Sequence, residues 1–152
     1  MHIRKAKKSD INMLAELLDG YRVFYRKTSD IEAAIKFLSQ RLKNKDSKIY
    51  VCETQEKQLV GFVQLYPLFS TTRMKRLWLL NDLFVHPDFR GKGISIALIN
   101  RAKILVRKTN AAGMYLETEK SNVIGNKLYP KTDFKLNDYA NFYEWDNVNS
   151  AT

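Results

Sequence analysis

Leu80–Val106, LNDLFVHPDFRGKGISIALINRAKILV, is the stretch on which the fold turns. LNDLFV completes RLWLLNDLFV, Arg76–Val85, a nearly continuous apolar run. A strand that apolar is expected at the centre of a sheet, buried on both faces. Pro87 ends it, and Lys92–Lys108 reads as a helix with cationic Arg107 and Lys108 suited to its C-terminal end. The loop between them holds Gly91 and Gly93, which allow close backbone approach and unusual φ. A loop of this kind leaves N–H groups free and aims the positive end of the helix dipole at one point, with Arg90 and Lys92 adding charge. That suits a phosphate or pyrophosphate. Neither G-x-x-x-x-G-K-[ST] nor G-x-G-x-x-G occurs, so this is not a Walker loop or a dinucleotide fingerprint. Taken alone, two glycines before a helix also describe a simple turn.

Working outward, His2–Ala6 reads as a first strand, and Ser9 and Asp10 offer caps for a helix with apolar Ile11, Leu14, Leu18, Tyr21 and Tyr25 on one face. Ser29 and Glu32 form a capping-box pattern before Ile31, Ala34, Ile35, Leu38 and Leu42. Lys48–Glu53 and Leu59–Pro67 read as a hairpin across a polar turn. Gly113 opens a strand, MYLET, and Ser121 and Asn122 cap a short helix ending near Tyr129–Pro130. Phe134–Leu136 and Tyr139–Trp145 read as a closing hairpin. The order β-αα-ββ-β-α-β-α-ββ predicts an α/β single domain over residues 1–152, a mixed sheet with helices on both faces.

Composition narrows the function classes. The 152 residues fit one domain. No apolar run reaches the ~18 residues of a membrane span, and no apolar core follows the basic N-terminus as in a secretory signal. One cysteine, Cys52, excludes an intrachain disulfide and a cysteine-based zinc cluster, and suits a reducing, cytoplasmic setting. Two histidines, His2 and His86, exclude a His-rich metal site, so no metal is expected. The net charge of +10 suggests a polyanionic partner: nucleic acid, a membrane surface or a phosphorylated small molecule. Residues 1–50 carry +6 of it, whereas Asn137–Thr152 has no Lys or Arg and three acids. Zinc-finger spacing, a basic heptad region and basic–aromatic interleaving are absent, so a solvated basic surface is preferred to nucleic-acid binding.

Val85–Leu98, V-H-P-D-F-R-G-K-G-I-S-x-x-L, resembles the acetyl-coenzyme-A motif of the GCN5-related N-acetyltransferases (GNAT), R/Q-x-x-G-x-G/A. Arg90, Gly93 and Ser95 occupy its defined positions, Ser95 replacing Gly or Ala. Asn122–Phe134 is similar to the second signature, N-x-x-A-x-x-L-Y-x-x-x-G-F, with Gly125 for Ala and Asp133 for Gly. Gly20–Tyr25, Leu65–Ser70 and Leu80–Val85 look like the histone/polyamine acetyltransferase-like branch, which includes enzymes acting on small amines, amino acids and histone tails. The resemblance implies the acyl-CoA N-acyltransferase fold and direct acetyl transfer from acetyl-CoA to a primary amine of a small molecule or peptide.

It further implies that Leu83, Phe84 and Val85 line the pantetheine arm and that Arg90, Gly91, Lys92, Gly93, Ile94 and Ser95 take the pyrophosphate, with Asn122 also on the cofactor. Tyr129 matches the family's general acid. Asp82, out of place on an apolar strand, and Glu117, on the neighbouring one, are the candidate bases. Tyr21, Arg22, Phe24 and Tyr25 fall where the resemblance places acceptor contacts. Capping competes for Asn122, and core packing for Leu83, Val85 and the aromatics. The aromatic segment YANFYEW, Tyr139–Trp145, together with the branch resemblance, points to a homodimer. A non-catalytic acyl-CoA-binding module and a basic nucleic-acid-binding protein are the competing readings.

Overall fold

A computed structural model describes residues 1–148; the last four residues of the expected domain lie outside it. The elements are β1 His2–Lys5, α1 Ile11–Phe24, α2 Ile31–Asn44, β2 Lys48–Glu53, β3 Leu59–Ser70, β4 Lys75–Val85, α3 Ile94–Lys108, β5 Gly113–Tyr115 and α4 Val123–Lys131. The sheet order is β1-β2-β3-β4-β5. The first three pairings are antiparallel and β4–β5 is parallel. A parallel neighbour requires a crossover connection, and α3 supplies it.

Side-chain alternation divides the core between the two faces of the sheet. On one face, Leu14, Leu17 and Leu18 of α1 and Ala34 and Leu38 of α2 pack on Val51, Phe62 and Phe84. On the other, Leu98, Ile99 and Ala102 of α3 pack on Cys52, Val63, Leu65, Trp78 and Leu80. Gly20 of α1 lies under the Phe84 ring, where a β-carbon would come within 3.2 Å of it, so the missing side chain lets α1 press close to β4.

Several expectations need correction. The strand buried on both faces is β3 over Leu59–Leu65; β4 alternates buried and more accessible positions, as a strand covered more fully on one face does. The residue before α1 is Asp10, but its side chain does not cap the helix. Asp10 accepts from two Arg4 guanidinium nitrogens, at 2.7 and 2.9 Å, and from Lys7 N. Helix α2 starts two residues later than expected: Asp30 caps Ala33 N, and Ser29 instead donates to Asp19. Helix α3 starts at Ile94, not Lys92, since Gly93 takes a left-handed φ of 76°. The strand MYLET shrinks to Gly113–Tyr115, so Glu117 is on no strand. The closing hairpin is absent: Phe134–Leu136 and Tyr139–Trp145 form no strand.

The Arg4 guanidinium bonds Asp10 and Glu53 together, tying β1, β2 and the entry to α1 at one point. It holds both carboxyls below their ordinary range. Depressed carboxylates stabilise the fold above their unfolded value of about 4, and that contribution is lost as pH falls through the folded values. Asp10→Asn should therefore lower Tm at pH 7 by roughly 2–6 °C and flatten the fall of Tm below pH ~4. Thermal melts of both proteins between pH 7 and 3 check this; parallel curves would exclude the linkage.

Candidate active site

Three registers join β4 to β5: Leu77 to Gly113, Trp78 to Met114 and Leu79 to Tyr115. Past Tyr115 the chain leaves the sheet while β4 runs on to Val85, so β4 from Leu80 onward has a neighbour on one side only. His86 N bonds Val60 O of β3. By alternation the N–H and C=O groups of Leu83 and Val85 turn to the open side, and Val85 O there meets Arg90 Nε at 3.0 Å. The side chains of Leu83 and Val85 pack toward α3 and α4, and Phe84 is buried under α1.

At the end of that open edge lies the glycine loop. Gly91 and Gly93 have φ of 75° and 76°, and a β-carbon at either would meet nothing within 4 Å. The N–H groups from Gly91 to Ile96 have no acceptor among the described residues, and no side chain caps α3. Arg90 and Lys92 fold back on the loop instead of reaching across it. The Arg90 guanidinium lies over Phe24 and Phe84, and Lys92 donates to Asp88 O beside the Phe89 ring. The polar lining of the loop is thus main chain: a concave row of donors at a positive helix end, fitted to a diphosphate. Ser95 keeps its N–H in that row, so replacing Gly or Ala there removes no donor.

Asp82 sits upstream on β4 and is buried. It accepts from Gln64 Nε2 at 2.9 Å and from Asn81 Nδ2 at 3.0 Å. Gln64 in turn accepts from Ser47 Oγ at 3.1 Å. A register shift opposite Gln64–Leu65 leaves Asn81 as an extra residue in β4, a bulge that re-aims the strand where Asp82 lies. Burial pushes the Asp82 carboxyl up, and the Gln64 and Asn81 bonds oppose that only in part. Gln64 and Asn81 were missed from the sequence. The available signal was Gln64 itself, a lone amide within the apolar run LVGFVQLYP.

The aromatic residues of α1 converge here. Tyr21 donates to Asn81 O at 3.3 Å and stands edge-on to Tyr25, Phe62 and Phe84. Its phenol is pushed up by burial first and then by the nearby charge of Asp82, with Tyr25 and Tyr129 contributing further. Tyr129, on α4, is raised to about 12 by burial and, secondarily, by Tyr25. The structure therefore brings Asp82, Tyr21, Tyr25 and Tyr129 together beside the open edge. Arg26, just beyond α1, bonds Glu119 at 2.6 Å, joining the end of α1 to the loop after β5 across the gap between β4 and β5.

Other candidates take different places. Glu117 is exposed beyond β5. Arg22 donates to Thr28 O and lies 3.7 Å from Asp19, which orients it into the turn between α1 and α2. Phe24 is half-exposed and faces Arg90, beside a groove of about 470 Å³ that includes Glu16, His86 and Arg90 but neither Asp82 nor Tyr129. Asn122 caps α4: its Oδ1 accepts from Gly125 N at 3.0 Å, and its Nδ2 donates to Thr118 at 2.9 Å. A β-carbon on Gly125 would lie 2.6 Å from that amide, which explains Gly in place of Ala. Asp133, in place of Gly, adopts φ 64° and pairs with Lys103 at 2.8 Å. Aspartate tolerates that left-handed geometry better than most residues.

A raised folded carboxyl pKa destabilises the native state at high pH, and the penalty fades as pH falls through that value. Asp82→Asn should thus raise Tm at pH 8 by a few degrees, with the gain shrinking toward pH 5. Melts across that range test it; a lower Tm with no pH dependence would make Asp82 a fully compensated structural carboxylate.

Residues 12–134 match the family model described as "Acetyltransferase (GNAT) family". The chain is 42% identical over 135 residues to the uncharacterized N-acetyltransferase YhfO of Bacillus subtilis (strain 168), covering 89% of this chain and 90% of that one. A probable acetyltransferase of Haemophilus influenzae is 28% identical, with 95% and 97% covered. Among solved structures, one described as a probable acetyltransferase superposes with a TM-score of 0.92 at 34% identity, covering 99% of this chain and all of its own. A ribosomal-protein-alanine N-acetyltransferase from Brucella melitensis biovar Abortus 2308 shares the fold at a TM-score of 0.78 and 23% identity, with 96% of this chain and 100% of that one covered.

Proposed function

The chain belongs to the acetyltransferase (GNAT) family, and on that premise we propose that it transfers an acetyl group from acetyl-CoA directly to a primary amine of a small molecule or peptide. The observation that carries this is the row of unpartnered N–H groups from Gly91 to Ile96, continuous with the open edge of β4, on which the buried Asp82 lies. The loop amides would hold the diphosphate of the cofactor, and the main chain at Leu83 and Val85 would orient its pantetheine amides as an added strand does. Acetyl-CoA, when bound, supplies the thioester acyl group and a thiolate leaving group.

Asp82 is the base in this reading. An alkylamine of pKa ~10.4 is roughly 0.04% neutral at pH 7, so a proton must be taken from it before attack. A carboxylate whose pKa is raised is better matched to that step than an ordinary one. Gln64 and Asn81 hold its oxygens in place. Glu117, exposed and off the strand, has no comparable support. Tyr129 is the donor to the leaving group. With its phenol at about 12 it keeps its proton throughout the neutral range. Full transfer to a thiolate of pKa ~8.5 is uphill from there, so its contribution is a hydrogen bond that strengthens as charge develops. Tyr21 and Tyr25 supply the acceptor's apolar wall. The basic surface suits acidic or zwitterionic amines better than polycations.

We also read the protein as a cytoplasmic homodimer. Its only thiol is buried and free, and no helix among the described residues is long and apolar enough to cross a membrane.

Two substitutions test the site. Gly93→Glu places a charged side chain in a left-handed position at the donor row and should abolish coenzyme A binding in calorimetry while leaving the fold intact by circular dichroism. Unchanged affinity would remove the loop from the cofactor site. Tyr129→Phe keeps the ring against Phe134 and removes only the hydroxyl. The kcat should fall about 10²-fold or more with coenzyme A affinity unchanged. Turnover is read by thiol release on an amine selected from a panel; binding without release on any amine would favour the acyl-CoA-binding module.

A further inference from the structure

Ser47 lies in the loop between α2 and β2, and β2 is separated from β4 by β3. The Ser47 hydroxyl nevertheless reaches toward the acid on β4 through one intermediary. It donates to Gln64 Oε1 at 3.1 Å, and Gln64 Nε2 donates to Asp82 Oδ2 at 2.9 Å. Gln64 and Asp82 are both buried. The registers make the chain possible, since Gln64 of β3 stands opposite Ile49 on one side and Asp82 on the other. The second carboxyl oxygen of Asp82 accepts from Asn81 Nδ2 at 3.0 Å.

A side-chain amide donates at one end and accepts at the other. An ionised carboxylate only accepts, so it requires the NH2 end of Gln64; a protonated carboxyl can donate to the carbonyl end instead. Whatever fixes the direction of the amide therefore biases the proton on Asp82. Among the described residues, Ser47 is the side chain bonded to the carbonyl end of Gln64, and the strand neighbours Val63 and Leu65 are apolar. A hydroxyl can itself point either way, and charge decides its direction here. Ser47 lines a cavity of about 520 Å³ whose walls also carry Lys45, Lys48 and Arg76. The carboxylate in that wall, Asp46, is paired with Arg41 at 3.1 Å. Cations draw the hydroxyl oxygen toward the cavity and leave its hydrogen for Gln64. The dipoles then run head to tail from a cationic cavity to the Asp82 carboxylate.

We propose that Ser47 is a positioning residue of the active site: by holding the carbonyl end of Gln64 it turns the amide N–H groups to Asp82 and favours the ionised carboxylate. The consequence for turnover rests on the reading of Asp82 as the base. A base must be ionised before it can take a proton. Burial works against that at Asp82, and the bond from Gln64 opposes the burial. Ser47 thus extends the working range of the base toward acid pH from outside the site. Around Asp82 stand the phenols of Tyr21 and Tyr25 on α1, Tyr66 on β3 and Tyr129 on α4. Burial pushes Tyr21, Tyr66 and Tyr129 up, away from the range in which a carboxyl titrates.

The test is the titration of the Asp82 carboxyl carbon, followed by NMR on the full chain and identified by its loss in Asp82→Asn. Ser47→Ala should raise the midpoint by about half to one pH unit, roughly a three- to tenfold gain in proton affinity. Ser47→Thr keeps a hydroxyl and should titrate as the wild type does. Gln64→Leu removes the direct donor and should shift the midpoint by about tenfold in affinity or more. A midpoint unmoved in Ser47→Ala, or moved equally in Ser47→Thr, would overturn the positioning role, and so would an unmoved midpoint in Gln64→Leu. The acid limb of kcat/KM against pH, on an amine the wild type accepts, should move with the carboxyl. A limb that stays while the carboxyl moves would keep the hold of Ser47 on Asp82 and remove Asp82 as the base.

Discussion

The parting of β4 and β5 after three shared registers is the constraint on which this molecule is organised. Buried main-chain groups normally find partners, and a strand that loses its neighbour midway must offer its N–H and C=O groups elsewhere. Here the open stretch runs from Leu80 into a loop whose own amides are also unpartnered. The two deficits are collinear. A ligand that is amide-like at one end and anionic at the other satisfies both. Helix α3 is needed twice in this arrangement, as the crossover that makes β5 parallel and as the source of the positive terminus.

The gap also determines the fate of the buried carboxylate. Asp82 stands where β4 has just lost β5, so its amide partners come from β3 and from the bulge at Asn81. Packing from α1 keeps water from restoring its ordinary acidity, because Gly20 lets the helix press against Phe84. Burying the Asp82 carboxyl costs stability, and in the proposed mechanism the same burial readies it to take a proton.

Much of this was legible in the sequence. LNDLFV followed by a glycine loop and an amphipathic run specifies strand, turn and helix by local rules, and Asp82 betrays itself as an acid on an apolar strand. The failures share a cause: they depend on partners distant in the chain. Ser29 has the form of a cap, but Asp19, ten residues away, claims its hydroxyl. Arg22 looks free to meet a substrate until the turn after α1 brings Thr28 O to it. Tyr139–Trp145 has the alternation of a strand, but strands exist only as pairs, and no segment of the described chain pairs with it. Gln64 reads as a core defect until β3 is set in register with β4.

Cys52 has a consequence of a different kind. It lies on β2 at 1% exposure, beneath α3, with burial pushing its thiol up. A thiolate is the reactive form, so alkylating reagents find it silent while the sheet is intact. The rate at which it becomes labelled therefore clocks the opening of the central sheet itself, beneath any motion of loops. The protein carries its own stopwatch for global unfolding, installed at a single position and needing no engineered probe.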